Sequence, residues 1–354
     1  MFRVNTEIIK INKDNPENDK IHKAAMILKN GGTVAFPTET VYGLGANALD
    51  SAAVEGIFKA KGRPQDNPLI IHIADINQID NLVENVPVKA RKLMEKFWPG
   101  PLTMIFNKNK SVPYIVTGGL STVAIRIPNH KIATKLIKAA GIPIAAPSAN
   151  ISGKPSPTHV NHVIEDLYGK INMIIDGGET GIGIESTVLD VSCGIPTILR
   201  PGGVTREDIL KIFPKVECDL AFKSNEKIVI PKSPGQKYTH YSPKAKLIIF
   251  EGDIDNVSNE IKVRAGKYLD EGMKVGIMAT EQTKDKYQGF VLVLGDRKKP
   301  KTIAANLFRK LREFDKMSVD IILAESISRE GIGEAIMNRM KKAADENIVV
   351  NGGG

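Results

Sequence analysis

Between residues 17 and 200 the chain switches repeatedly between two hydrophobic periods, and this switching limits the folds open to it. Residues 17–30 put Ile21, Ala24, Ala25 and Leu28 on one helical face, and Gly31-Gly32 follow as a stop. Residues 33–36 are short, apolar and partly β-branched, which reads as a buried strand. Ser51 is placed to cap a helix carrying Val54, Ile57 and Phe58 and ending near Gly62, and 69–73 is the next expected strand. Further helices are expected at 87–97, 130–140, 158–167 and 205–213. Strands are expected at 102–106, 123–127, 143–146, 171–175, 186–191 and 197–200. The turns between them are dense in proline and glycine: Pro37-Thr38-Glu39-Thr40, Lys61-Gly62-Arg63-Pro64, Trp98-Pro99-Gly100-Pro101 and Pro147-Ser148-Ala149-Asn150. Such turns hold the backbone in fixed, non-repetitive shapes, as a rigid ligand cradle requires.

The pattern breaks near 214–246, where charged residues and the string from Ser233 to Pro243 replace the periodicity. Proline stiffens such a stretch into a connector. Beyond it, strand signals at 247–250, 274–278, 290–294 and 321–324 alternate with helical ones at 254–270, 301–314 and 333–344, the mark of a small open α/β sheet. The expected organisation is a first domain over 1–217, a linker with a lid-like segment over 218–246, and a smaller domain over 247–354. A chain of 354 residues suits two domains.

Composition narrows the function classes. No apolar run approaches the roughly 20 residues a bilayer requires, so no membrane association is expected. Residues 1–15 have no apolar core and no small-residue cleavage site, so no secretory signal is expected. The only cysteines, Cys193 and Cys218, are too far apart for a zinc knuckle or redox pair and suit a reducing cytoplasm. The formal charge of +9 makes polyanions plausible partners without selecting one.

Several motifs fall away on inspection. Gly43-Leu44-Gly45-Ala46-Asn47-Ala48 matches a dinucleotide fingerprint in form, but Pro37 interrupts the approach and no acidic strand end follows about 20 residues on. There is no Walker A string and no GxSxG elbow. His159, His162 and Glu165 could share a helical face toward a metal, though a solvated face is the plainer reading.

Polar clusters at strand ends carry more. Lys59, Lys61 and Arg63 crowd a Gly-Pro turn, where they either cap a helix electrostatically or face a triphosphate. Arg126 lies inside the apolar run Val123 to Ile127, and a buried charge needs a partner. That partner is either a carboxylate of the protein or a substrate carboxylate gripped by the guanidinium fork. Ser148, Asn150, Ser152, Ser156, Ser186 and Thr187 add neutral donors and acceptors, and together these loops point to one cleft.

Taken in order, Pro37 to Leu44, Lys61-Gly62-Arg63-Pro64 with Asn67-Pro68-Leu69, Pro147 to Asn150 with Ser152-Gly153, Glu185-Ser186-Thr187-Val188 and Leu199-Arg200-Pro201-Gly202 resemble the YrdC-type threonylcarbamoyl-AMP synthases over roughly residues 15–215. His240-Tyr241-Ser242-Pro243 and the C-terminal α/β pattern resemble the long, two-domain form. The resemblance implies a large twisted mixed-sheet domain plus a smaller Rossmann-like α/β domain. It implies a cytoplasmic nucleotidyltransferase that uses ATP, L-threonine and bicarbonate, with Mg²⁺ accompanying ATP and no metal site of its own. Its product would pass to a downstream threonylcarbamoyl-transferase machinery that modifies adenosine 37 of ANN-decoding tRNAs. Thr40, His72, Arg126, Ala146 and Ser186 are then expected around threonine. Lys59, Arg63, Asn67, Thr122, Ser148, Ser156, Arg200, His240 and Tyr241 are expected around ATP, with Lys61, Arg63 and Arg126 closest to the chemistry. A contact with RNA or tRNA is a further expectation.

Two other readings compete. A non-catalytic double-stranded-RNA-binding protein fits the basic charge, but the chain has 5% aromatic residues and no stacking signature. A carbamoyl-transfer domain of the hydrogenase-maturation kind would bring cysteine pairs that are missing here.

Overall fold

The computed structural model describes residues 4–219 and 241–350, and these divide into two units. One comprises the described residues of Met1–Ser152 and Ser156–Tyr238, the other those of Gly153–Pro155 and Thr239–Gly354.

In the first unit the strands are β1 (Glu7–Lys10), β2 (Val34–Phe36), β3 (Gly43–Asn47), β4 (Ile70–His72), β5 (Leu102–Asn107), β6 (Thr122–Arg126), β7 (Ile144–Ala145), β8 (Met173–Asp176), β9 (Thr187–Asp190), β10 (Thr197–Arg200) and β11 (Glu217–Cys218). They form one eleven-stranded sheet in the order β1-β8-β2-β3-β7-β4-β6-β5-β9-β10-β11. Pairing is mixed at its centre. β4 and β6 run parallel with His72 opposite Arg126, while β7 and β5 flank them antiparallel.

The helices are α1 (Asn18–Lys29), α2 (Ser51–Lys61), α3 (Val88–Phe97), α4 (Tyr114–Thr117), α5 (Lys131–Ala140), α6 (Val160–Leu167) and α7 (Arg206–Leu210). Side chains alternate across a strand, so the two faces of the central strands part company. Ile71, Met104, Ile125 and Leu189 join Ile57 and Phe58 of α2 and Leu93 and Met94 of α3 in the main core. α1 and α5 close a second core over Phe36, Ile144 and Met173. Each such side chain, fully buried, contributes about 1.5–3 kcal/mol relative to exposure. On the opposite face Ile70, Ile105, Ala124, Val188 and Leu199 form a small apolar patch of their own.

The expected helices and strands are found with ends shifted by a few residues, and the differences have local causes. The cap of α2 is Asp50, not Ser51: its carboxylate accepts from the amides of Ala52 and Ala53, and Ser51 is the first helical residue. Gly62 ends α2 at φ 59°, a left-handed position that glycine occupies at least cost. The glycine motif at 43–48 is strand β3. A Cβ on Gly45 would lie 2.7 Å from Ile144 Cγ2 and 2.8 Å from the Phe36 ring, so this glycine serves strand packing. β11 carries the first sheet on to Cys218, inside the expected linker, and residues 220–240 lie outside the described residues.

The second unit has strands β12 (Lys246–Glu251), β13 (Val275–Ala279), β14 (Phe290–Val293), β15 (Ile321–Glu325) and β16 (Glu346–Val349), with helices α8 (Ile254–Asp270), α9 (Pro300–Met317) and α10 (Ile332–Ala343). All its pairings are parallel, in the order β14-β13-β15-β12-β16. Parallel strands need both faces covered, and β13 and β15 are buried along their whole length. At the end of β15 the carboxylate of Glu325 is enclosed by Tyr287, Thr280 and Arg297. No helix among the described residues is long and apolar enough to cross a membrane.

Candidate active site

Arg126 is the last residue of β6 and is 3% exposed. Its Nη1 donates to Thr40 Oγ1 at 3.0 Å and its Nε to the Gly100 carbonyl at 3.1 Å. Its Nη2 lies 2.7 Å from Glu39 Oε2, so the carboxylate this buried charge requires comes from the protein itself. The two are close but misaligned, and neither atom makes a well-formed hydrogen bond. Thr40 is held in turn by Thr38 Oγ1 at 2.8 Å, and Thr38 ties its own loop by donating to the Val41 carbonyl.

His72 ends β4 beside Arg126 and is 4% exposed. Burial, reinforced by the Arg126 charge, lowers its pKa to about 3, so the ring is neutral around pH 7. Its Nδ1 has no partner, and its ring meets Phe36 edge-on at 6.3 Å. Ser186 immediately precedes β9, with its hydroxyl 2.8 Å from Thr103 Oγ1 on β5. Arg200, at the end of β10, donates from Nε and Nη2 to the Ser186 carbonyl at 3.2 and 3.1 Å. Ala146, just past β7, is buried and its amide donates to the Ile70 carbonyl.

A second group gathers at the other end of the same strands. Thr122 opens β6, and at 3.3 Å per residue it stands roughly 13 Å from Arg126. Asn67 is 1% exposed with an unpartnered Oδ1, and Arg63 Nη2 donates to the Pro68 carbonyl at 3.2 Å. β7 runs antiparallel to β4, so the chain beyond Ala146 heads back toward this end and brings Ser148, bridged to Gly43, with it. The apolar patch with Ile70 and Ala124 lies between the two polar groups.

Not every expected residue joins these groups. Lys61 is buried at 2% exposure, and its ammonium donates to the carbonyls of Ser148 and Asn150. This cation, expected to face a triphosphate, donates to two carbonyls of one loop. Lys59 is exposed on α2 and lines, with Ile151 and Tyr168, an open depression of about 810 Å³. Ser156 Oγ donates to Glu185 Oε1 at 2.5 Å. Tyr241 packs in the second unit, its ring 5.0 Å from Phe308, and His240 lies outside the described residues. His159 and His162 both use Nδ1 as acceptors for nearby amides, of Asn161 and Thr158. Among the described residues no group of three or more His, Cys, Asp or Glu side chains could hold a metal ion.

Glu39 is the residue the sequence reading passed over. An arginine inside an apolar strand announces that a carboxylate is near, but the spacing does not say which one, and a glutamate in a Pro-Thr turn looks solvated.

Residues 26–202 match the family described as Telomere recombination, which covers Sua5, YciO and YrdC, and 204–345 match the Threonylcarbamoyl-AMP synthase C-terminal domain. The chain is 50% identical over 334 residues to the threonylcarbamoyl-AMP synthase of Pyrococcus abyssi, covering 94% of this chain and 96% of that one. It is 50% identical to the Bacillus subtilis protein of that name, over 93% and 94%. The crystal structure of P. abyssi Sua5 complexed with L-threonine superposes with a TM-score of 0.93 at 49% identity, covering 97% of this chain and 99% of that chain.

Proposed function

This chain belongs to the Sua5–YciO–YrdC family in the form that carries a Sua5 C-terminal domain, and we propose that it is a threonylcarbamoyl-AMP synthase. It condenses L-threonine, bicarbonate and ATP to threonylcarbamoyl-AMP and pyrophosphate. The observation that carries this reading is the pairing of two polar groups across one sheet face. Arg126, Thr40, His72 and Ser186 stand at one end, and Arg63, Asn67, Thr122 and Ser148 at the other.

In this reading Arg126 takes the carboxylate of threonine, a task suited to a planar guanidinium with unused donor directions. Neutral His72 and the Ser186 hydroxyl offer hydrogen bonds without adding charge. ATP lies toward Arg63, Asn67, Thr122 and Ser148, and Arg200 steadies Ser186 between the two ligands. Mg²⁺ would accompany ATP and supply charge neutralisation on its phosphates, since no group of three or more His, Cys, Asp or Glu side chains among the described residues would hold it.

The ammonium of threonine gives up a proton, and the amine so formed joins the carbon of bicarbonate with loss of water. A carbamate oxygen then attacks the α-phosphorus while pyrophosphate leaves. No covalent nucleophile of the protein is needed; positioning and charge do the work. Lys61 contributes by fixing the loop that bears Ser148. The product serves tRNA modification at adenosine 37, through a separate transferase, in the cytoplasm.

The test is to incubate the protein with ATP, Mg²⁺, bicarbonate and single amino acids, following pyrophosphate and the mass of any adenylate. Threonylcarbamoyl-adenylate formed only with both threonine and bicarbonate is the expected result. Pyrophosphate without bicarbonate would mean simple amino-acid activation. No turnover, with steeply salt-dependent RNA binding, would favour the non-catalytic alternative.

A further inference from the structure

Glu39 has no role in the account so far, yet its surroundings are unusual for a carboxylate. Its side chain is 13% exposed, and neither Oε1 nor Oε2 has a hydrogen-bond partner. Enclosing carboxylate oxygens without donors is costly, so such groups are normally satisfied. A glutamate present only to neutralise Arg126 would settle into the parallel, two-bond geometry that this pair favours. Here the pair sits at 2.7 Å without that geometry, and Arg126 Nη2 also lacks an acceptor. Both charges therefore keep unused directions.

The neighbours leave the carboxylate no other partner to turn to. Its backbone is pinned by the Ile182 amide, which donates to the Glu39 carbonyl at 2.8 Å. Thr40 Oγ1 is already engaged with Arg126 and Thr38. His130 is held below its usual pKa chiefly by burial, against the pull of Glu39, and so offers no fixed cation. What remains is a fixed anion beside a fixed cation at the enclosed end of a site. The ligand that matches such a pair carries the opposite charges on two groups attached to one carbon, as an amino-acid zwitterion does.

We propose that Glu39 is the ammonium subsite: its carboxylate receives the α-ammonium of the amino acid whose carboxylate Arg126 holds. This rests on the reading above that the site takes an amino acid. Glu39 thereby makes the site selective for zwitterions over hydroxy acids and positions the nitrogen that is to become a carbamate.

The experiment compares binding of L-threonine and of 3-hydroxybutyrate, which keeps the carboxylate and hydroxyl but lacks the amine. Both are titrated into the full chain as wild type, Glu39→Gln and Glu39→Asp, with ATP binding as the check on folding. In Glu39→Gln threonine should weaken about 10- to 100-fold, the loss expected for one charge-assisted hydrogen bond. The same substitution should leave 3-hydroxybutyrate within about 3-fold of wild type, since its contacts with Arg126 persist. Glu39→Asp, which keeps the charge, should recover most of the threonine affinity. If Glu39→Gln does not fold, Glu39→Ala takes its place, with the same selective loss of threonine expected. Equal weakening of both ligands would assign Glu39 to holding Arg126 alone and overturn the proposal, as would no change in either. Wild type that binds no threonine at all would remove the amino-acid reading, and this inference with it.

Discussion

Arg126 and His72 are neighbours in register with opposite electrostatic fates, and each makes a measurable claim. Arg126 is paired with Glu39 at 2.7 Å. An ammonium cannot reproduce the planar fork, so Arg126→Lys should lower kcat/KM for threonine by about 100-fold and change KM for ATP by less than about 3-fold. Equal losses for both substrates would detach Arg126 from threonine. His72 is neutral because burial drives its pKa down to about 3. Between pH 6.5 and 3 the unfolded chain therefore binds a proton that the folded chain refuses, and stability falls as pH falls through that window, with no slope above it. From this group alone, about 2 kcal/mol should be lost between pH 7 and pH 5. His72→Gln should flatten that part of the curve in urea titrations at the two pH values. The sequence showed that Arg126 needed a carboxylate, because a charge among Val123, Ala124, Ile125 and Ile127 cannot stand alone. It did not show Glu39, since loop-to-strand contacts depend on topology. Lys61 shows the same dependence on topology: the carbonyls of Ser148 and Asn150 that accept from its ammonium lie 87 and 89 residues away in sequence.

Elements with strong period or propensity were legible, and α8, with its Asp253 cap, was expected over its full span. Those missed include two kinds of strand. β1 and β16 are exposed edge strands with almost no buried side chain, so they give no apolar run to detect. β3 is built from two glycines, a leucine, an alanine and an asparagine, mostly residues of low strand propensity, and Gly45 earns its place through close approach to Phe36 and Ile144. α2 illustrates how a helix end acts on the site, because its final residue, Lys61, clamps the loop that bears Ser148. Its start is held by Asp50, and Asp50→Ala should cost about 1 kcal/mol of stability in denaturant unfolding. Turnover of the folded variant should be unchanged, since Asp50 lies eleven residues before that clamp; a parallel loss of activity would show that the whole helix is coupled to the loop.

The two units have separate cores and different sheet logic, one mixed and one wholly parallel. The strand order was not legible, because no local signal tells β1 and β2 that both will pair with β8. That pairing has a consequence for synthesis. Thr6 donates to the carbonyl of Ile171 across 165 residues of sequence. At about 5–20 residues per second, a ribosome takes roughly 10–30 s to deliver the partner that β1 awaits. Ribosome-bound chains stalled before Met173 should be cut by protease within residues 4–12, whereas chains with β8 fully emerged should resist; protection of the shorter chains would mean β1 has another early partner. β8 also leads into the loop whose Ile182 and Gly183 amides fasten Glu39 and Thr40. The turn that bears Glu39 and Thr40 is thus fastened late, long after its own residues have left the ribosome.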